Sequence, residues 1–366
     1  MSRVKLADVI IRANTKVDKD HTDLKYYVGG EHFESGNVTV EQRGLIEGST
    51  IGPMFYYGFK AGQFLLVSRN PHLKKAGVVD FDGICSEKTF VLQTANPEVL
   101  IPEYLPFVLQ NDRFWDYAVE HKHGSTNFFI NWSTLADYEF ELPSVEEQNR
   151  VATLAWAAHR LKKEYHKLIE ATDDLVKSQF IEMFTDTLKG KLSDIATITM
   201  GQSPDGKTYN TDGNGMPFYQ GKTEFGDLYI GDATTWTTAP SRIAEANDVL
   251  MSVRAPVGST NVATKTCCLG RGLAGIRPIE GKSTTMFILY SMRSIEDDIE
   301  NMGVGSTFKA INKDVVYNLP IPIASIELQN RFVALAEQSD KSKFELQQAI
   351  EKVDNLIKSL IQQDNN

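Results

Sequence analysis

Three cysteines stand in 366 residues, at 85, 267 and 268, with no CxxC pair and no even number to form a disulfide framework. A reduced interior compartment and no structural zinc are the expectations that follow. Long apolar runs are missing too. The stretch from Val151 to Ala158 meets His159 and Arg160 far short of a membrane span, and Arg3, Lys5 and Asp8 interrupt any signal-peptide core. The chain therefore reads as soluble, cytoplasmic and not membrane-bound. Basic excess is also lacking: 38 Lys and Arg against 48 Asp and Glu give a net charge of −10. That excludes a uniformly basic DNA-coating protein, though not a local basic groove. Apolar residues at 42% are enough for real cores, and the length suits two or three domains.

Catalytic machinery is equally scarce. Asn70-Pro71-His72 and Asn96-Pro97-Glu98 lack the second proline of a base-methylating motif. Gly281-Lys282-Ser283-Thr284 ends like a phosphate-binding loop, but Ile276 stands where the first glycine is required, so a turn is the better reading. The seven histidines form no HExxH pair, and His121 and His123 have no ligand set of metal-site spacing around them. A catalytic role for the chain alone is not expected, nor a cofactor or metal of its own.

What is present is a repeat. Displaced by 181 residues, 124–180 lies on 305–361 without a gap, and 20 of the 57 positions are identical. Chance would give about one in twenty. Gly124-Ser125-Thr126 falls on Gly305-Ser306-Thr307, and Gln148, Asn149 and Arg150 fall on Gln329, Asn330 and Arg331. Fainter echoes run upstream: Lys5 to Val9 resembles Lys191 to Ile195, Tyr27 to Phe33 loosely parallels Tyr219 to Phe225, and Phe64 to Arg69 parallels Val249 to Arg254. One unit of about 185 residues is thus used twice, with a diverged front part and a well-matched back part.

The back part reads as a long helix. Ser144 is an N-cap candidate, with Glu147 completing a capping box. Val151, Leu154, Ala158, Leu161, Tyr165, Leu168, Thr172 and Leu175 then recur at spacings of three and four, the a/d seam of a coiled coil, and Gly190 is the expected stop. Phe332, Leu335, Ser339, Ser342, Leu346, Ala349, Val353, Leu356 and Leu360 repeat the seam more weakly. About 35 residues at 1.5 Å each span roughly 50 Å, and a whole domain separates the two helices in sequence, which favours a spacer over a helical hairpin. The front parts read as mixed α/β, with strand candidates at 63–69, 77–81, 88–93, 248–253 and 273–276 and short helices near 104–120 and 286–301. The fold expected is α+β, an internal pseudo-two-fold repeat. Two globular mixed α/β domains, 1–143 and 190–324, are separated by antiparallel coiled-coil-like helices, 144–189 and 325–366.

Basic loop residues recur at corresponding places. Ser68, Arg69, Asn70, His72, Lys74 and Lys75 follow a strand in the first half; Ser252 and Arg254 occupy the same place in the second, with Arg271 and Lys222 nearby. Arg forks grip phosphate or read guanine, Asn reads adenine, and Lys attracts phosphate, so these are the candidate DNA-binding residues. Gly124, Ser125, Thr126 and Gly305, Ser306, Thr307 suit close approach to a phosphate or tight domain–helix packing. With Gln148, Arg150, Gln329 and Arg331 they are candidates for partner binding or the domain–helix junction. Similar back parts suit the same partner bound twice; dissimilar front parts suit different target sequences.

The strings SRNPHLKKAG…DFDGICSEKTFVL, TMGQSPDGKTYN…PFYQGKTEFG and VLMSVRAPVG…GRGLAGIRP, with the paired GST…IN…EQNR and ELQNR segments, resemble the specificity subunit of type I restriction-modification enzymes over essentially the whole chain. The resemblance implies two target-recognition domains held apart by helical spacers, each reading one half of an asymmetric bipartite site in double-stranded DNA. It also implies two copies of a methyltransferase subunit, which bring S-adenosylmethionine and methylate adenine, and translocating restriction subunits. The second Gln-Asn-Arg segment departs from symmetry in being introduced by Leu328 rather than Glu. Rival readings are a scaffold that binds no duplex and an enzyme with an unrecognised site.

Overall fold

The computed structural model describes residues 2–303 and 310–362. The chain divides into two units, Met1–Tyr165 with Gln348–Asn366, and His166–Gln347. Two mixed α/β domains alternate in sequence with two long helices, Val145–Phe184 and Ile326–Gln362. Each long helix contributes residues to both units.

In the first unit, one four-stranded sheet runs Ile10–Ala13, Thr89–Thr94, Phe64–Val67, Ala76–Val78, and a second runs Gly44–Leu45, Tyr26–Val28, Gly83–Ser86, Phe55–Phe59. The central strand Phe64–Val67 is buried on both faces, which is why it reads FLLV with no polar alternation. Phe64 and Leu66 face a core with Trp115, Phe107 and Phe114, while Leu65 and Val67 face a smaller one with Val28 and Cys85. The second unit repeats the scheme, with Ala196–Met200, Leu273–Pro278, Val249–Ser252 and Thr260–Val262 in one sheet and a five-stranded sheet beside it. The helical segments expected near 104–120 and 286–301 each form two helices, Leu105–Leu109 and Asp112–Glu120, and Thr285–Ser294 and Glu296–Asn301.

Within the first unit, Leu360 shares a core with Val151, Ala152 and Ala155, and Lys162 Nζ meets Asp354 at 2.6 Å, so the two helix segments run antiparallel. Within the second, Phe332 packs on Phe180 and Phe184, and Lys343 Nζ meets Asp173 at 2.7 Å, again antiparallel. Lys343 and Asp354 are the repeat equivalents of Lys162 and Asp173, so one ion pair occurs twice.

The leucine seam read in the sequence is buried only in part: Val151 and Ala158 of the first helix and Phe332, Ser339, Val353 and Leu360 of the second are buried. Leu154, Leu161, Leu168 and Leu175 are all between 44% and 51% exposed. Ala152 and Ala155 in the first unit, and Phe180 and Phe184 in the second, take inward positions outside that seam. A coiled-coil seam assumes that the partner helix is the only surface to cover. Here each helix also packs against its domain, and that second contact turns the buried face away from the leucines. The first helix ends at Phe184, ahead of Gly190, which lies in Lys189–Lys191 paired with Pro320–Pro322. A Cβ at 190 would come within 2.6 Å of Ile323, so that glycine serves a close strand crossing instead of a helix stop.

Ser144 Oγ accepts from Glu147 N at 3.3 Å, and Ser325 Oγ accepts from Leu328 N at 3.3 Å. Only half of the expected capping box forms, because the Glu147 carboxylate is drawn to Arg150. Gly281 to Thr284 is a turn, its Gly281 at φ +77° and Thr284 capping the helix that follows.

Candidate nucleic-acid interface

Arg69 and Arg254 hold the same backbone position. Val67 pairs with Thr89 as Ser252 pairs with Leu273, and the next residue in each strand donates its N–H to Lys88 O and Gly272 O respectively. One residue further on, Arg69 bridges Phe129 and Arg254 bridges Ala310. Ile130 N then donates to Ser68 O, and Ile311 N to Val253 O, at 2.9 and 3.0 Å. Both arginine side chains are exposed, and among the described residues neither makes a hydrogen bond or ion pair of its own.

This register is the one that the alignment of 64–69 on 249–254 implies. Ser68 and Ser252 are one position apart, not equivalent, and both are buried. Ser68 Oγ donates to Lys88 O and Ser252 Oγ to Arg254 O, each at 2.8 Å, so both hydroxyls brace the turn. Asn70 sits at φ +51° and Lys74 at φ +47°, flanking the 3₁₀ turn Pro71–Leu73. Left-handed backbone suits Asn and is costly for Lys. Lys74 Nζ pairs with Asp112 at 2.7 Å, and this hydrogen bond holds the Asp112 carboxyl below its ordinary range. Lys75 Nζ donates to Gly30 O at 2.6 Å. His72 is exposed. Of the three first-half loop cations, then, Arg69 projects freely and the two lysines are tied within the domain.

Gly124-Ser125-Thr126 forms an exposed tip between His123 and Phe129, which bridge one another, and Asn70 N donates to Phe128 O at 2.8 Å. The structure thus brings this loop beside Arg69. Gly124 lies at φ +89°, where a Cβ would stand 2.6 Å from Asn127 O. Gly305, Ser306 and Thr307 lie outside the described residues.

The domain–helix junction is carried by the glutamines. Gln148, fully buried, accepts from Ile101 N at 3.0 Å and donates to Val99 O and Pro143 O at 2.8 and 2.9 Å. Gln329 donates to Lys282 O and Ala324 O at 2.8 and 3.0 Å, and its Oε1 is buried without a partner. Arg150 and Arg331 point outward, Arg150 against Glu147.

In the second domain Lys222, Ser252, Arg254 and Arg271 come together with Ser203 and Gln220 around an open cavity of about 160 Å³. Three glycines make the crossing possible. A Cβ at 272 would stand 2.3 Å from Gln220 O, one at 270 would stand 2.8 Å from Gln220 Cα, and one at 201 would stand 2.1 Å from Gly270 O. The backbone around Gln220 is therefore wedged in place while its side chain is exposed. Sequence reasoning passed over Gln220 and Ser203; the glycines at 201, 270 and 272 were the available signal. The clustered cations Lys222, Arg254 and Arg271 suit this surface to binding an anionic backbone; no group of acids, histidines or cysteines able to hold a metal occurs among the described residues. No helix among those residues is long and apolar enough to cross a membrane.

Residues 186–353 match the family model of the type I restriction modification DNA specificity domain. The putative type I restriction enzyme MjaX specificity subunit of Methanocaldococcus jannaschii is 27% identical over 89% of this chain and 84% of its own length. A chain from a structure titled for complex assembly and conformational transition of the type I R-M system is 28% identical, with a TM-score of 0.66 over 99% of this chain and 97% of that one. The chain is thus similar along its length to type I restriction-modification specificity subunits, and its second half carries their DNA specificity domain. The type I restriction-modification S subunit from M. genitalium, 14% identical with a TM-score of 0.59 over 100% of this chain and 96% of its own, shares the fold. A specificity subunit is the non-catalytic DNA-specificity component of its system and associates with DNA and with the other subunits of the type I complex. The paired Arg69 and Arg254 surfaces are then candidate DNA contacts.

Proposed function

We propose that this chain is a specificity subunit that reads an asymmetric bipartite site in duplex DNA, with 1–143 and 190–324 as its reading domains and 144–189 and 325–366 as spacers. It recruits two adenine methyltransferase subunits, which supply S-adenosylmethionine, and restriction subunits join them. Arg69, Asn70 and His72 face the duplex from the first domain, and Lys222, Arg254 and Arg271 from the second. Lys74 and Lys75 reach phosphate only by releasing Asp112 and the Gly30 carbonyl. The outward Arg150 and Arg331, repeated one per copy, suit the same partner met twice.

The observation that carries this reading is the recurrence of one exposed arginine at one backbone position in two otherwise dissimilar surroundings. A shared cation supplies sequence-independent phosphate attraction, and unlike neighbours supply unlike base choice. Long-read mapping of methylated adenines in a host carrying this chain and its methyltransferase tests it. The expected motif has two short halves around an unread gap and disappears when the chain is deleted; a continuous motif would refute the bipartite reading. Native mass spectrometry of the purified methylating complex should give two methyltransferase subunits per specificity chain, and one would refute the stoichiometry.

A further inference from the structure

The pairing that equates Arg69 with Arg254 also fixes which residues surround them. With Thr89 equivalent to Leu273, counting back four places makes Cys85 equivalent to Leu269. Val28 pairs in parallel with Cys85, as Tyr219 does with Leu269. It follows that Gly29 stands where the second domain has Gln220, and Glu87-Lys88 where it has Arg271-Gly272. Around one shared arginine the two domains therefore present opposite chemistry: a guanidinium and an amide in the second, a carboxylate and a bare glycine in the first.

The details fit a surface prepared for contact. Among the described residues, the side chains of Gln220 and Arg271 make no hydrogen bond or ion pair, although the backbone beneath both is wedged by Gly201, Gly270 and Gly272. Arg271 N also lies 3.4 Å from Ser203 Oγ. In the first domain Glu87 is oriented by Lys88 Nζ at 2.7 Å and by the Tyr56 hydroxyl at 3.2 Å. Those two groups leave lone pairs on the carboxylate to spare, and its own N–H is anchored to Met54 O at 2.9 Å. The tips at Gln220 and Arg271 have no side-chain partners among the described residues, and that of Glu87 is already oriented by Lys88 and Tyr56. Rigid backbone with pre-set polar tips is what base reading requires, since a reader that must first be ordered loses affinity to that ordering.

We infer that the turn closing the strand hairpin beside the shared arginine sets the base choice of each domain, through Arg271 with Gln220 in the second and Glu87 in the first, whereas Arg69 and Arg254 grip the phosphate backbone. The geometry of base edges gives the assignment its content. A guanidinium fork donates to guanine O6 and N7, an amide pairs with adenine N6 and N7, and a carboxylate accepts from cytosine N4. The second domain accordingly favours a purine edge, guanine at Arg271, and the first favours cytosine at Glu87. This rests on the two-domain reading proposed above.

The test is methylome mapping with the complete complex carrying R271Q, R271K, E87Q or R254Q, alongside the unaltered chain. R271Q should relax one position in one half of the motif, keeping the gap and the other half; E87Q should do the same in the opposite half. Losing a bidentate contact lowers discrimination at that position about ten- to hundredfold. R271K keeps the charge without the fork, so occupancy should stay and preference blur. R254Q should lower methylation at every site without altering the motif. An unchanged motif for both R271Q and E87Q overturns the inference. So does a changed base preference for R254Q, or uniform loss of methylation by R271Q in a complex that assembles and melts like the unaltered one. If the unaltered chain already gives a continuous motif, the functional proposal fails; if that motif is bipartite and the variants leave both halves intact, only this inference fails.

Discussion

Gln148 and Gln329 occupy one position of the repeat with unequal bonding, and replacing each by alanine should expose the difference. Gln148→Ala strips a buried N–H at Ile101 and a buried carbonyl at Pro143 of their partners, and a more accessible carbonyl at Val99. An orphaned buried group costs about 1–3 kcal/mol, and the accessible carbonyl recovers water, so the loss should total about 3 kcal/mol. Gln329→Ala removes two bonds to partly buried carbonyls and also eliminates an Oε1 that had no partner, so about 1–2 kcal/mol is expected. For units of this size, 1 kcal/mol moves a melting midpoint by about 2–4 °C, a separable difference. Urea unfolding of the specificity subunit reads both. Trp115, Trp132 and Trp156 report on the first unit and Trp236 on the second, so single-tryptophan backgrounds assign each transition. The midpoint should fall more for Gln148→Ala in the first unit than for Gln329→Ala in the second, with the denaturant slope unchanged. An equal or larger loss at Gln329 would refute the claim that bonding at the junction, not helix capping alone, holds each domain to its helix.

Arg277 binds Asp248 through two nitrogens at 2.8 and 2.9 Å, and that carboxylate is only 6% exposed, so Arg277→Ala should destabilise the second unit by about 2–3 kcal/mol and Arg277→Lys by less. Equal losses on denaturation would refute the importance of the fork. Burial pushes the Cys85 and Cys267 thiols up to about 12, so neither should react with a disulfide reagent at pH 8 until urea is added; rapid labelling of the folded chain would contradict their burial. In a filter-binding or anisotropy series against salt, Arg254→Gln should flatten the logarithmic slope by about one unit. Lys74→Ala and Lys75→Ala should flatten it by less, since both ammonium groups are already engaged; a full unit for each lysine would reverse that ranking.

The tandem repeat, both long helices, the Ser144 cap and five of the strands could be read from residue spacing, because each rests on contacts within a few residues or on simple self-comparison. The leucines at 154, 161, 168 and 175 could not be placed that way. Their period predicts a stripe correctly, but which stripe is buried depends on the domain that packs beside the helix. The alignment of 64–69 on 249–254 already set Ser68 beside Val253 and Arg69 on Arg254, and the ladder register has the same pairing.

Sequence alone determined that one unit is used twice, that its back part is helical and that catalytic motifs are missing, since all three are properties of order and period along the chain. Tertiary structure decided which loop cations stay free, that the Gly124 loop stands beside Arg69, and that Gln220 joins Arg254 and Arg271. Those juxtapositions come from hydrogen bonds across dozens of residues, as between Ser68 and Ile130 or Gly270 and Tyr219, and from glycines that allow backbones to touch. Spacing carries no record of such pairings, because any partner with a free N–H or C=O would satisfy the same strand edge, and only the packed core selects one.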